Sequence, residues 1–213
     1  MKLSFPILCT LILYLVIISN LFAQKFELTP FAGYRFGGKM NGIEIQSQDS
    51  LATGELKIVN GINYGLIFDI SLNNDLQLEF HVERQNSELI LRENESQDEV
   101  KLTDLTVDYY QVGLVIQPNT GATRVFIDFT FGLTRFDAKE NLESEMRYST
   151  GLALGLKRYL NKKIGLRLQS RWTATYIQST NQMFCENSGP CFAVPKTVFM
   201  NQVDISGGLI IVL

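Results

Sequence analysis

Few residues in this 213-residue chain are of a type that does chemistry unaided. The single histidine, His81, stands between Glu79 and Glu83 at every second position. On an extended strand that spacing puts all three side chains on one face. An imidazole between two carboxylates is a minimal set for general acid–base work. The same trio also suits a buried polar network that ties strands together, because unsolvated charge demands partners. No serine stands where the sequence places it beside His81, so no nucleophilic triad is legible. The second pair of reactive residues is Cys185 and Cys191, which flank Glu186-Asn187-Ser188-Gly189-Pro190. In an oxidising compartment a disulfide closing this loop is the natural reading, with two free thiols or half a metal site as alternatives. No spacing supplies four metal ligands. A phosphate-binding glycine loop, a zinc helix motif and a nucleophile elbow are all missing, so no cofactor is expected.

The compartment is written at the start of the chain. Lys2 precedes a nearly unbroken apolar run from Phe5 to Ile18, followed by Ser19-Asn20-Leu21-Phe22-Ala23-Gln24. A basic start, an apolar centre and a small residue at the end fit a signal peptide, here residues 1–23 with cleavage after Ala23, the alternative being an uncleaved membrane anchor. Cys9 follows Leu8 inside the apolar run, which is the wrong setting for a lipidated cysteine. Loss of Lys2 with the leader takes the net charge from −3 to −4. That mild acidity gives no general attraction to nucleic acid. Nothing in residues 24–213 approaches the ~18 consecutive apolar residues of a spanning helix, so a membrane-embedded mature chain must cross as strands.

Alternation supplies those strands. Ile62, Tyr64, Leu66, Phe68, Ile70 and Leu72 oppose Asn63, Gly65, Asp69 and Ser71; Leu76, Leu78, Phe80 and Val82 oppose Gln77, Glu79, His81 and Glu83. Similar segments begin at Phe26, Val125, Tyr148, Ile164 and Val203, and another ends at Ile116. That last segment has an irregularity: Leu105 and Val107 take the opposite parity to Tyr110, Val112 and Leu114. Either a bulge near Tyr109 or a strand running beyond the apolar zone accounts for it. Eight strands result, joined alternately by short turns (around Asn73-Asn74-Asp75, Pro118 to Gly121 and Asn161-Lys162) and by long polar connections at 38–60, 84–100, 137–145 and 178–196. Within the second of these, Leu89-Ile90-Leu91 breaks the polar habit, either as a hairpin extending past the membrane or as loop packing. The expected fold is all-β, an eight-stranded antiparallel up-and-down transmembrane barrel.

A soluble ligand-carrying barrel also alternates, but its second face would be a solvated exterior rich in Lys and Glu. Here that face carries Gly33, Gly65, Gly113, Gly132, Gly151, Gly155, Gly165 and Gly208, which suit a crowded interior. Its charges nearly balance. Glu27, Asp69, Glu79, Glu83, Asp128 and Asp204 stand with Arg35, Arg124, Lys157, Arg167 and Arg171. With His81 added and Arg124 left out, these residues are expected to form an interior polar network. On the apolar face Tyr34, Tyr64, Tyr148, Trp172 and Tyr176 are candidates for interface girdles. Eight strands leave an interior filled by side chains, which argues against a general diffusion pore.

Leu28-Thr29-Pro30-Phe31-Ala32-Gly33-Tyr34-Arg35-Phe36-Gly37-Gly38, Glu83-Arg84-Gln85, the Phe184-Cys185 to Cys191 loop and the Gln202 to Gly208 strand together resemble the outer-membrane β-barrel domain family, whose wider relatives are small barrels of outer-membrane protein A type. The resemblance covers residues 24–213 and implies a Gram-negative outer-membrane location, but carries over no catalytic or binding residue. One departure is the ending Ile210-Ile211-Val212-Leu213, where such barrels commonly finish on an aromatic residue. The expected partners are outer-membrane lipid, the barrel-assembly machinery and an unidentified extracellular ligand or surface partner. The leading functional expectation is a structural or surface-interaction role through the four long loops. A lipid-modifying enzyme is one alternative, because some outer-membrane barrels of that kind use a histidine with a serine and a carboxylate. A narrow channel or a carrier of small hydrophobic solutes is the other.

Overall fold

The computed structural model describes residues 25–47, 50–93, 99–118, 121–139, 144–177, 183–185, 191–193 and 199–213. The leader expected at 1–23 lies outside them. Twelve strands follow in order: β1 (Phe26–Gly37), β2 (Lys39–Ser47), β3 (Ser50–Ile58), β4 (Gly61–Ser71), β5 (Leu76–Glu93), β6 (Glu99–Ile116), β7 (Thr123–Ala138), β8 (Glu145–Tyr159), β9 (Ile164–Tyr176), β10 (Met183–Cys185), β11 (Cys191–Ala193) and β12 (Phe199–Val212). Eight of these, β1, β4 to β9 and β12, are the alternating segments of the sequence. Each pairs antiparallel with its neighbours, and β1 pairs with β12 to close the barrel. Closure leaves these eight strands no free sheet edge within the membrane belt, which hydrocarbon requires.

Side-chain parity sorts the wall into two faces. Every barrel strand exposes large apolar residues outward, among them Phe36, Leu66, Phe80, Leu114, Phe129, Leu154, Leu168 and Ile205. A continuous apolar belt of this kind is a surface for lipid rather than water. Tyr34, Tyr64, Tyr110, Tyr148, Trp172 and Tyr176 are exposed on the same face. They gather toward the rim where the strands are long, so the described residues form one aromatic girdle, at that rim, rather than a pair. Directly above it, Arg84 and Asp108 face each other across β5 and β6, joined by two hydrogen bonds of 2.6 and 2.9 Å. This bidentate pair marks the change from apolar to polar wall.

At the opposite rim two turns share one design. The Asn73 side chain accepts from the backbone N–H groups of Asp75 and Leu76, and Asn161 does the same for Lys163 and Ile164, all at 2.8–2.9 Å. Asparagine closes such turns because its side-chain carbonyl substitutes for a backbone acceptor.

The long connections are where sequence and structure part. Residues 38–60, expected as a polar loop, hold the β2–β3 hairpin, which continues the wall upward: β2 pairs with β3, and β3 replaces β4 beside β5 from Ile58 opposite Leu89. The chain leaves β1 through Gly37 and Gly38 at φ +89° and +96°, a left-handed bend that other residues reach only under strain. The Leu89-Ile90-Leu91 stretch does extend a hairpin: β5 and β6 are 18 residues each. About 10 residues suffice to cross a bilayer, so each runs some 25 Å further along its own direction. The parity anomaly at Leu105 and Val107 is resolved by this extension. The β6–β7 register runs unbroken from Leu105 to Ile116, and the irregularity on the β5 side lies at Leu89/Ile90, not near Tyr109. Beyond the belt solvent lies outside the wall, so the apolar residues turn inward.

Candidate functional site

The lumen is built in layers. Nearest the short turns, the Lys157 ammonium donates to Glu27 at 3.0 Å, Asp69 at 2.6 Å and Gln77 at 2.6 Å, and the Tyr159 hydroxyl donates to Glu27 at 2.7 Å. Arg167 lies next, reaching Asp69 at 3.1 Å and Glu79 at 2.6 Å. Arg171 then bridges Glu79 at 2.7 Å and Asp128 at 2.6 Å, with Thr130 accepting a third bond at 3.0 Å. His81 follows, its Nε2 3.0 Å from Glu83 and its Nδ1 3.7 Å from Glu79. Above it Arg35 joins Glu83 at 2.7 Å to Asp204 at 2.9 Å, and Asn63 donates to Glu83 at 3.0 Å.

All eleven of Glu27, Arg35, Asp69, Glu79, His81, Glu83, Asp128, Lys157, Arg167, Arg171 and Asp204 are buried and joined into one chain of contacts, with His81 as the link between its lower and upper halves. Neighbouring strands supply these groups because inward positions recur every second residue. The near-balance of charge expected from the sequence changes in one respect. Arg124 is not in the network. It sits half-buried at the mouth, stacked 4.9 Å over the Tyr159 ring and donating to the Gly121 carbonyl. The core of the lumen therefore holds six carboxylates against four fixed cations, with His81 set between the Glu79 and Glu83 carboxylates.

Several members of the site were not singled out by sequence. Phe126, an apparent exception to the alternation of its strand, lies inside with the Arg167 guanidinium 4.4 Å over its ring. Gly155 leaves the space that ring occupies, since a Cβ there would meet Phe126 at 2.5 Å. Tyr109 stacks under Arg35 at 4.2 Å and hydrogen-bonds Gln202, which donates to Gln85 at 3.3 Å. Their inward parity was the available signal.

Above this polar floor comes an apolar cluster comprising Met40, Leu56, Ile58, Leu89, Leu105, Val107, Phe136, Ala138, Ile177 and Met200 packed with Tyr109. It stoppers the lumen beyond the membrane belt. Outside it, Lys101 and Lys139 both hydrogen-bond Asp104, holding that carboxyl below the usual carboxylate range. His81 is 1% exposed and hydrogen-bonded to Glu83, so it presents no face to a substrate. What the arrangement does chemically is pair buried charges from different strands across the inside of a narrow barrel.

No protein-family model matches the chain, and no curated protein matches it in sequence. Solved structures do match its backbone. The outer membrane protein OprG of Pseudomonas aeruginosa superposes with a TM-score of 0.59 at 12% identity, covering 89% of this chain and 95% of that one. Neisserial surface protein A superposes at 0.55 and 9% identity, covering 88% and 96%. This is the fold of a small outer-membrane β-barrel. In such a barrel the alternation, the girdle and the filled lumen have one explanation, since lipid wets one face of every strand while the other must satisfy its polar groups internally. At these identities the likeness concerns the fold, and the barrel's lumen has to be read from its own residues.

Proposed function

We propose that this chain is an exported barrel of the Gram-negative outer membrane that acts as a rigid platform presenting its long-strand rim at the cell surface. In this reading cleavage after Ala23 releases a mature chain starting at Gln24, and the short-turn rim faces the periplasm. The observation that carries it is the doubly closed lumen, an ion-paired network below and an apolar stopper above, combined with strands that run well beyond the belt on one side. A solute path would need a polar, hydrated lumen, whereas a binding platform needs only a stiff rim. The proposed partner is an extracellular ligand or surface that meets this rim. The Cys185–Cys191 disulfide belongs to the same proposal. β10 and β11 pair antiparallel with these two residues opposite each other, and directly opposed residues have Cα separations of ~4.5–5.5 Å, within the span a disulfide bridges.

The test is reconstitution into planar bilayers alongside a variant in which residues 39–58 are replaced by a short turn. The wild type is expected to give no stepwise conductance, and the variant to insert normally while losing surface binding. Steady single-channel currents from the wild type would overturn the platform reading in favour of a narrow channel. Lipid turnover abolished by His81→Ala would overturn it in favour of an enzyme.

A further inference from the structure

The lipid-facing wall is not uniformly convex. A groove of about 900 Å³ runs across β8, β9, β12 and β1 in the half of the belt nearer the short turns. That volume falls within the ~300–1,000 Å³ range of small-molecule sites. Its floor is made of small outward residues, Pro30 and Ala32 on β1 and Gly207 on β12, with Ala32 and Gly207 directly opposed. Leu168 and Leu209 line its side, and Arg158 stands at its end, paired with Leu166 in the β8–β9 register.

Neither backbone conformation nor packing inside the barrel requires a glycine at 207. Its φ lies outside the left-handed region, and an added Cβ would meet only the Arg167 carbonyl oxygen, at 3.9 Å. Gly208, beside it and facing inward, has no such room: a Cβ there would stand 2.7 Å from Thr29. The smallness of Gly207 thus shapes the outer surface. Positive charge predominates at the groove's lower end: Arg158 lines it, Lys162 and Lys163 stand in the turn that joins β8 to β9, and Lys25 precedes β1, while Asp75 is the one acidic side chain in the three short turns.

We propose that this groove is a binding site for one anionic diacyl phospholipid of the periplasmic leaflet, with an acyl chain lying over Ala32 and Gly207 and the phosphate against Arg158. The site rests on the reading of the short-turn rim as periplasmic. Charge complementarity chooses this occupant over a zwitterionic lipid, and the apolar lining ending at a cation chooses it over a soluble anion.

The experiment uses the full mature barrel inserted into vesicles of phosphatidylethanolamine and phosphatidylglycerol, extracted in mild detergent and weighed by native mass spectrometry. Folding is followed separately by the gel shift between heated and unheated samples. The expected result is one phosphatidylglycerol retained per barrel and enriched about fivefold over its share of the vesicle, the scale set by one cationic side chain at an anionic surface. Gly207→Leu, which fills the groove from outside, and Arg158→Gln, which removes the cation, should each return retention to the bulk share with the gel shift intact. Retention unchanged in both variants, or no lipid preference in the wild type, would overturn the site while leaving the membrane reading standing. A wild-type dimer lost in Gly207→Leu would also overturn it, making the groove a contact between copies. A wild type that fails to insert would overturn the membrane reading, and the site with it.

Discussion

Arg171→Met is the sharpest test of the lumen's role. The guanidinium is fully buried and bonds Glu79 at 2.7 Å, Asp128 at 2.6 Å and Thr130 at 3.0 Å. Its removal affects the two carboxylates unequally. Glu79 keeps Arg167 at 2.6 Å, whereas Arg171 is the sole cation within salt-bridge distance of Asp128 among the described residues. The variant therefore strands one buried carboxylate, a change that costs ~3–5 kcal/mol because the charge keeps its desolvation penalty and loses its partner. Pairing Arg171→Met with Asp128→Leu removes the stranded charge, and most of the loss should return, since apolar replacement of a buried ion pair is often neutral or better. The assay is urea unfolding of the bilayer-inserted barrel followed through Trp172, the only tryptophan, which sits on the lipid-facing wall one residue away. At a slope of roughly 2 kcal/mol/M the single variant's midpoint should fall by about 2 M. A single variant within about 0.5 kcal/mol of wild type, the range of an ordinary surface change, would refute the reasoning. So would a double variant no better than the single. Either would show that water, rather than pairing, satisfies the lumen.

Three further outcomes follow from the same geometry. Gly151→Ala places a methyl group against the Thr130 hydroxyl and beside Arg171; it should cost ~1–3 kcal/mol in the same unfolding assay, as overpacking does, and Thr130→Ala should relieve part of it. Cys185 and Cys191 should resist alkylation in the unreduced mature protein and take up two alkyl groups after reduction, and two thiols alkylated without reductant would exclude the bridge. Acidification should loosen the outer ends of β6 and β7, where Lys101 and Lys139 hold Asp104. Because that carboxyl's pKa is lowered in the folded state, its contribution is complete above its unfolded value and is lost as pH falls through the folded one. Hydrogen exchange at the Lys139 amide, which donates to the Asp104 carbonyl, reads this locally, and equal protection at neutral and acid pH would contradict it.

The amino-acid sequence by itself determined the eight strands of the barrel, their inward and outward faces and which rim has the tight turns. All three depend on local period and turn chemistry, and each can be read from a residue and its near neighbours: Asn73 and Asn161 in their turns, Glu79, His81 and Glu83 on one face. Tertiary structure alone decided which groups meet across the lumen. Lys157 joins Glu27 and Asp69 from 130 and 88 residues away, and those partners depend on the stagger at which the barrel closes, which no single strand encodes. It also decided the meaning of exceptions to the pattern. Leu105 and Val107 break parity because the wall continues beyond lipid, where the apolar side must turn inward, and Phe126 does so because two buried cations need a ring to lie against. The hairpin over Lys39–Ser47 and Ser50–Ile58 reads as a loop for the same reason, since it becomes wall only when β5 offers an edge beside it.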